Sequence, residues 1–344
     1  MQQVYIIVAG LIFGLLISYA GLNKFNTIAG LSVLKNMTVA KTIMLVLGIG
    51  TILLTIEIMC GFATFHIKPF FVIGTILGGI IFGCGMSVLG YCPGTLPVSV
   101  GQGSLDAVVG IIGGLVGGLF FSIFYPYIIP LLGKNLGNIS LFSILGNHFS
   151  FIYFFIVLLL SSAMIVGAFI LHRIDVRNGI TSNKWIITGI GLALLNLILF
   201  DTHWFDTPMG ASSCYPYIAN HLVGVSNSVY STKISFSGNW EMYFLLGAMI
   251  AGYIQAALSK SFKIIYVHSL WIEYRGNNIT KRFVWAFIGG FLLIFGARMA
   301  GGCTSGHIIS GGMQVAVSSY VFAIFTFIGF LCTGYVFYKL HLKG

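Results

Sequence analysis

Long apolar runs separated by short polar segments are the dominant pattern of this 344-residue chain. A helix needs about 20 apolar residues to cross the hydrocarbon core of a bilayer, and runs near this length predict nine membrane-spanning helices. The predicted spans are 4–21, 42–61, 69–90, 106–131, 151–171, 185–201, 241–259, 283–299 and 315–338. The predicted fold class is therefore an all-α polytopic membrane protein, with residues 1–344 forming a single transmembrane domain.

Composition supports this class, since only 7% of the residues are charged, whereas soluble domains carry about 25%. The net charge of +10 could indicate a nucleic-acid partner, but the distribution of the basic residues gives a different explanation. With the N-terminus outside, 13 of the 17 Lys and Arg residues lie on the cytoplasmic side. The thirteen are Lys24, Lys35, Lys41, Arg173, Arg177, Lys184, Lys260, Lys263, Arg275, Lys281, Arg282, Lys339 and Lys343. The positive-inside rule thus predicts an inner-membrane protein with its N-terminus outside and its C-terminus in the cytoplasm.

Two pairs of similar segments indicate an internal duplication. "KFNTIAGLS" (24–32) follows the first span and "WFDTPMGASS" (204–213) follows the sixth; "GGIIFGCGMSVLGYCPG" (78–94) and "GGFLLIFGARMAGGCTSG" (289–306) end the third and eighth spans. Because the spans before the two copies run in opposite directions, the halves (about 1–131 and 185–338, connected by the span at 151–171) are predicted to be inverted repeats. Such transporters hold their substrate near the midplane, between the repeats. The alternative is that membrane helices simply share glycine-rich patterns.

The segment 90–106, "GYCPGTLPVSVGQGSLD", is too rich in Gly and Pro for a continuous spanning helix, although spans flank it. Non-helical backbone at membrane depth occurs where protein buries it or where it lines a watery cavity. Broken segments expose helix N-termini, which favour anions. Gly94 in this copy and Gly306 in the other would permit close backbone approach.

The second copy adds polar groups that the first lacks. Thr304 and Ser305 supply hydroxyl donors, and Arg298 supplies a fixed positive charge. Ionisable residues in a membrane indicate function by default, so the pattern predicts an anion pathway. Arg298 could instead snorkel or pair with an acid, His307 could be a satisfied core histidine, and Glu57 could serve structure or transport.

Cysteines recur at the same place in both copies, as Cys92 and Cys303. A thiol is a poor ligand for hard oxyanion oxygens and a better one for a soft sulfur atom, so the pair favours a sulfur-containing anion over phosphate or sulfate. The S–H form, a weak donor, suits this role because a thiolate would repel the anion. Cys60, Cys84 and Cys332 lie within apolar runs and are predicted to be structural. The cysteines form no zinc-type spacing, and neither a metal nor a cofactor is predicted.

Three stretches, "GYCPGTLPVSVGQGSLDAVVGIIGG", "PMGASSCYPY" and "GARMAGGCTSGHIISGG", resemble the YeeE/YedE family, whose characterised members are TsuA-type thiosulfate permeases. The resemblance covers essentially the whole chain. It implies an hourglass-shaped, pseudo-symmetric protein in which cysteines pass thiosulfate along by S–H···S contacts without a covalent intermediate. The family cysteines correspond to Cys92 and Cys303. A cytoplasmic sulfur-carrier protein of the TusA type is the partner that the resemblance implies.

The chain departs from the family at the end of the first span, where a third cysteine is expected. No cysteine precedes Cys60, and Asn26 and Thr27 stand in that region instead. Cys214 follows the sixth span and has no cysteine counterpart in the first copy. These differences are compatible with a changed path or with a related sulfur or selenium substrate.

The sequence therefore predicts an importer of thiosulfate, or of a closely related sulfur-containing anion, rather than an enzyme. The alternatives are a membrane sulfurtransferase with a persulfide on Cys303, activated by Arg298 or His307, and a structural membrane subunit. The candidate substrate-binding and translocation residues are Cys92, Cys303, Pro93, Gly94, Thr304, Ser305, Gly306, Arg298, Gly90, Gly302, Asn26, Thr27, Thr207 and Ser212.

Overall fold

A computed structural model describes residues 2–339. Its helices are α1 (Gln2–Ala20), α2 (Phe25–Ser32), α3 (Thr38–Met59), α4 (Val72–Leu89), α5 (Thr95–Gly101), α6 (Leu105–Ile128), α7 (Leu141–Ile144), α8 (Phe151–Arg177), α9 (Lys184–Phe200), α10 (Cys214–Val223), α11 (Val229–Leu258), α12 (Ser269–Arg275), α13 (Ile279–Ala300) and α14 (Val317–Gly334). A 3₁₀ turn (Ile129–Leu132) extends α6, and π-helical segments occupy Thr304–Gly311 and Tyr335–Lys339.

Within residues 2–339, eight helices are long and apolar enough to cross a membrane. The sixth predicted span, 185–201, corresponds to α9, a shorter apolar helix whose 17 residues cover roughly 25 Å at 1.5 Å per residue. The prediction of an all-α polytopic membrane protein is confirmed.

The boundary of the seventh span differs from its prediction. The seventh span is predicted at 241–259, yet α11 begins at Val229 and runs for 30 residues. The side chain of Ser228 caps this helix by accepting a hydrogen bond from the Ser231 backbone N–H at 3.2 Å. Tyr230 and Ile234 then pack in a buried cluster with Phe121. Tertiary packing therefore stabilises a helical segment, 229–240, that hydropathy did not predict.

The two long motif copies adopt matching backbone turns. α4 ends at Gly90 and α13 ends at Gly301, with φ of 77° and 80° respectively. Glycine adopts this left-handed conformation without the Cβ clash of other residues. Cys92 and Cys303 each follow two residues later. A short helix, α5, follows Cys92, and the π-helical segment Thr304–Gly311 follows Cys303, so neither copy continues as an unbroken spanning helix.

The central contact of the bundle is between α4 and α13. A Cβ atom on Gly78 would lie 2.7 Å from the Gly296 carbonyl oxygen, and one on Gly296 would lie 2.7 Å from the Gly78 carbonyl oxygen. Around this pair, α6 packs on α13 while α14 packs on α4, and α1 packs on α11 while α9 packs on α3. When each helix of the first half is exchanged for its counterpart in the second half, the α6–α13 contact becomes the α14–α4 contact. The α1–α11 contact likewise becomes the α9–α3 contact.

The remaining long helix, α8, packs mainly against α3 at the edge of the bundle. Its Asp175 forms a fully buried ion pair with Lys41, with 2.6 Å between the carboxylate and Nζ. Asp175 also accepts a hydrogen bond from the Met37 backbone N–H at 2.7 Å. These contacts attach α8 to the start of α3.

Candidate functional site

A cavity of about 360 Å³ lies where the ends of α6 and α13 meet the start of α11. Residues from the loops 66–69 and 207–213 complete its wall. We call it the charged cavity; its polar lining comprises His66, Lys68, Thr207, Ser213, Tyr230, Lys233, Ser237, Glu241, Arg298 and Ser310. The N-terminal copy contributes no residue from its cysteine motif to this lining.

Arg298 lies in the last turn of α13 and is only 6% exposed. Its Nη1 donates a hydrogen bond to the hydroxyl of Ser213 at 3.0 Å, and its Nη2 donates to the hydroxyl of Ser212. Its Nε has no hydrogen-bond partner among the described residues. The guanidinium is therefore directed into the protein, beside the cavity, and still has a free donor.

Glu241 is a cavity residue that the sequence analysis did not single out. It is 5% exposed, and its carboxylate accepts hydrogen bonds from the backbone N–H groups of Ser213 and Cys214, the latter at 3.1 Å. Cys214 begins α10, so the carboxylate occupies the N-terminal end of that helix, where N–H groups lack partners within the helix. The sequence feature that could have identified Glu241 is an acidic residue at the start of an apolar run.

Lys68 was also missed, because it lies in none of the repeated segments. Its ammonium donates a hydrogen bond to the Gly301 carbonyl oxygen at 3.0 Å. A Cβ on Gly302 would lie 3.2 Å from this ammonium, and one on Gly306 would lie 3.5 Å from it. Burial and the positive charge of Arg298 lower the pKa of Lys68. Two cations therefore face the segment that carries Cys303.

Cys303 lies at the boundary between this charged region and the protein interior. It is 1% exposed, and its Sγ is 3.3 Å from the Ser305 hydroxyl. Lys68 and Arg298 are both within electrostatic range of the thiol. Of the predicted residues, Thr207, Gly306 and Arg298 line the charged cavity. The structure thus brings Cys303 together with the predicted hydroxyl and arginine groups of the second copy.

Cys92 lies in the other broken segment, where its backbone N–H donates to the Thr95 hydroxyl at 2.9 Å. It lines a second cavity, of about 540 Å³, whose wall is almost entirely apolar. Gly94 and Thr95 from the first copy and Thr304 and Ser305 from the second share this wall. Both broken segments therefore border one space, which we call the apolar cavity.

Tyr215 bonds to the first broken segment. Its hydroxyl donates to the Pro93 carbonyl oxygen at 2.8 Å, and Cys92, Cys214 and Cys303 all lie within electrostatic range of it. Cys214 is 3% exposed. The role of Cys214 was open in the sequence; the structure places it as a third thiol around the same tyrosine.

Asn196 also holds the site together without having been predicted. Its Oδ1 accepts hydrogen bonds from the Met209 backbone N–H at 3.0 Å and the Ser310 hydroxyl at 3.2 Å. Ser310 in turn donates to the Met209 carbonyl oxygen at 2.9 Å. α9 thus ties the 207–213 loop to the π-helical segment. The sequence feature that could have identified Asn196 is an amide side chain in the middle of an apolar run.

His307 has structural partners for both ring nitrogens. Nδ1 is 2.9 Å from the Ser319 hydroxyl, and Nε2 is 2.9 Å from the Ala300 carbonyl oxygen. The ring stacks on Phe322 with 4.9 Å between centroids, and the side chain is fully buried. This geometry matches the satisfied core histidine that the sequence left as one alternative.

Asn26 and Thr27 line neither cavity. Asn26 bonds instead to α12, donating to the Ser269 hydroxyl at 2.7 Å and accepting from the Leu270 backbone N–H at 3.1 Å. Thr27 is buried within α2. The structure therefore does not assemble these two predicted residues with the cysteines.

A largely buried cluster lies beyond Gly90, on the side of Cys92 where α4 ends and α6 and α13 begin. A Cβ on Gly90 would lie 2.2 Å from the ring of Phe25, so glycine is required for this packing. We call the cluster the aromatic layer; it consists of Phe25, Tyr91, Asp106, His268, Trp271 and Arg282. Arg282 lies over the rings of Phe25 and Trp271 and pairs with Asp106 at 2.6 Å. This layer lies at the starts of α6 and α13, whereas the charged cavity lies at the ends of the same two helices.

Comparison with known proteins adds two findings. A family model described as "Sulphur transport" matches residues 25–332. The thiosulfate transporter TsuA of Spirochaeta thermophila is 23% identical over 341 residues, covering 94% of this chain and 95% of that protein.

Proposed function

This chain belongs to the sulphur transport (YeeE/YedE) family, and from that premise we propose that it imports thiosulfate across the inner membrane. Its function is transport, not enzymatic catalysis. The similarity to a thiosulfate transporter along almost the whole of both chains supports the choice of substrate.

The observation that carries the proposal is the position of Cys303 beside the charged cavity. Thiosulfate has hard oxygen atoms at one end and one soft sulfur atom at the other. Arg298 and Lys68 supply positive charge for the oxygen end. The thiol of Cys303, within electrostatic range of both cations, suits the sulfur end. Phosphate and sulfate lack a soft terminus, so the pairing of cations with a thiol favours thiosulfate over them.

Cys92 is the next sulfur contact along the proposed path. It faces the apolar cavity that Thr304 and Ser305 also line, so the second broken segment borders both cavities. We propose that the anion passes from Cys303 to Cys92 by S–H···S contacts, with Gly94, Gly302 and Gly306 leaving room near the backbone. The aromatic layer then has to open before the anion leaves.

The same proposal includes an inverted-repeat architecture with the N-terminus outside. The interchange of packing pairs between the halves supports a two-fold relation, and the distribution of basic residues supports the orientation. The charged cavity then opens outward, and the aromatic layer faces the cytoplasm. A TusA-like carrier would receive thiosulfate sulfur on that side.

The sulfurtransferase alternative needs an activated thiolate and a base. His307, one candidate base, has both ring nitrogens engaged by Ser319 and Ala300. This geometry disfavours a persulfide on Cys303. Mass spectrometry after thiosulfate exposure distinguishes the two functions, because a stable adduct of one sulfur on Cys303 supports the enzyme.

The decisive experiment measures uptake of radiolabelled thiosulfate by a sulfur auxotroph that expresses the protein or single-cysteine variants. We expect Cys303→Ala and Cys92→Ala to lower uptake at least tenfold at equal membrane abundance. Cys332→Ala is the matched control, since Cys332 is exposed on the helix surface, and it should retain wild-type uptake. Wild-type uptake by both Cys303→Ala and Cys92→Ala would overturn the proposed path along the thiols. Failure of the unaltered protein to import thiosulfate would overturn the proposed function.

A further inference from the structure

Glu241 occupies the place that an anionic substrate would take in the charged cavity. Its carboxylate accepts the hydrogen bonds of the Ser213 and Cys214 backbone N–H groups at the start of α10. Gly210 leaves the space for it, because a Cβ there would collide with Glu241 Oε1. The N-terminus of a helix stabilises an anion through these N–H groups and the helix dipole. The best anion position in the cavity is therefore already filled by an acid of the protein itself.

A second feature points to an external ligand. Arg298 is buried, lines the same cavity and carries an Nε donor without a partner in residues 2–339. No Asp or Glu carboxylate lies within ion-pair distance of its guanidinium among the described residues. An incoming anion can satisfy this donor, and it then lies close to Glu241.

Several charged or titratable groups face Glu241 from the elements packed around it. They are Arg298 from α13, Lys68 and His66 from the loop before α4, Cys214 and Tyr215 from α10, and Tyr230 and Lys233 from α11. Arg298 and Lys68 are the cations within electrostatic range of Glu241, and both attract its carboxylate. A dianion that enters would use the same two cations, and its charge would oppose that of Glu241.

We propose that binding of the anion in the charged cavity takes up one proton on the carboxylate of Glu241. The proton comes from water, and it neutralises one of the two like charges that otherwise share the site. Glu241 thereby sets the affinity for the anion and links binding to pH. This inference rests on the proposed transport of a sulfur-containing dianion.

The sign of the effect follows from linkage. If binding takes up a proton, the apparent Kd for thiosulfate rises with pH above the range in which Glu241 of the empty protein ionises. One proton corresponds to about a tenfold rise in Kd per pH unit. Glu241→Gln resembles the protonated acid, so its Kd should be independent of pH over that range. The variant should match the wild type at low pH and bind more tightly at high pH.

The experiment is calorimetric titration of the purified full-length protein with sodium thiosulfate, in buffers of different ionisation enthalpy. We expect the wild type to take up close to one proton per anion at high pH, and Glu241→Gln to take up none. Glu241→Asp keeps a titratable acid and should retain proton uptake. Glu57→Gln is the control, because Glu57 lies outside the charged cavity, and it should behave as the wild type.

The outcomes separate this inference from the proposed function. Thiosulfate binding by the wild type without proton uptake, or an unchanged pH slope in Glu241→Gln, overturns the role of Glu241 and leaves transport standing. Absence of thiosulfate binding and uptake in the wild type overturns the proposed function itself. The wild-type proton count decides the matter even where the glutamine variant folds poorly.

Discussion

Replacing Arg282 by methionine removes the residue that holds the aromatic layer together. Its Nε and Nη2 donate to the Asp106 carboxylate at 3.0 and 2.6 Å. Nη1 and Nη2 also donate to the Val88 and Leu89 carbonyl oxygens at 3.1 and 2.7 Å. Methionine keeps an apolar stem of similar reach, so the substitution mainly removes charge and donors.

The expected loss is large because every partner is buried. Removing one member of a buried ion pair costs about 3–5 kcal/mol. Each carbonyl left without a donor adds roughly 1–3 kcal/mol. Asp106→Asn should cost less, since Tyr91 and His268 remain within hydrogen-bond distance of that side chain, at 3.2 Å each. In the double variant no unpaired charge is left, so its loss should fall short of the sum by about 1–3 kcal/mol.

The assay is denaturant unfolding of the detergent-purified protein, followed by tryptophan fluorescence, for the wild type, both single variants and the double variant. Arg275→Met is the matched control: Arg275 stacks on Phe337 at 3.7 Å and has no ion-pair partner in residues 2–339. We expect it to change stability little. Additive losses in the double variant, or wild-type stability in Arg282→Met, would refute the reasoning.

Three further substitutions test other parts of the structure. Gly90→Ala should destabilise the protein by roughly 2–5 kcal/mol in a thermal unfolding assay, because it combines left-handed strain with a steric clash. The control is Gly301→Ala, which has the same strain but nothing within 4 Å of the added Cβ, so it should cost only about 1–2 kcal/mol. Equal losses in the two variants would contradict the packing argument. Arg298→Lys keeps the positive charge but loses the planar guanidinium that donates to two partners. The KM for thiosulfate uptake should therefore rise about tenfold with little change in membrane abundance. An unchanged KM would show that Arg298 does not bind the anion. Lys41→Met leaves Asp175 buried without its cation, so protease cleavage between α8 and α9 should accelerate. Cleavage at the wild-type rate would show that the ion pair does not attach α8 to α3.

Hydrophobicity predicted most of the fold, because in a bilayer the apolar length of a segment nearly determines whether it spans. It failed at the start of α11, where Ser231 and Tyr230 are buried by neighbouring helices rather than by lipid. A hydropathy pattern does not contain that information. The repeated motifs did better: they predicted matching breaks near Cys92 and Cys303, and glycine geometry at Gly90 and Gly301 explains both.

The candidate site was predicted only where the chain itself repeats. Arg298 and Ser212 lie in different motif copies of the second half, and the structure joins them by a hydrogen bond. Glu241 and Lys68 carry no motif; their role comes from two loops and a helix that meet only after folding. Asn26 was chosen because it stands in the region of a missing cysteine, but α12 takes up its hydrogen bonds.

Only the second copy of the cysteine motif carries an arginine, and the reason is steric. Aligned on the shared Ile-Phe-Gly and Met residues, Arg298 of α13 corresponds to Gly85 of α4. A Cβ on Gly85 would lie 2.4 Å from the Leu293 backbone nitrogen, so α4 has no room for an arginine where it crosses α13. The helix α13 instead carries both fixed cations, Arg282 in the aromatic layer and Arg298 beside the charged cavity, about 24 Å apart at 1.5 Å per residue. Through α13, one continuous helix therefore carries the cation that pairs with Asp106 at one end and the cation that bonds to Ser212 and Ser213 at the other.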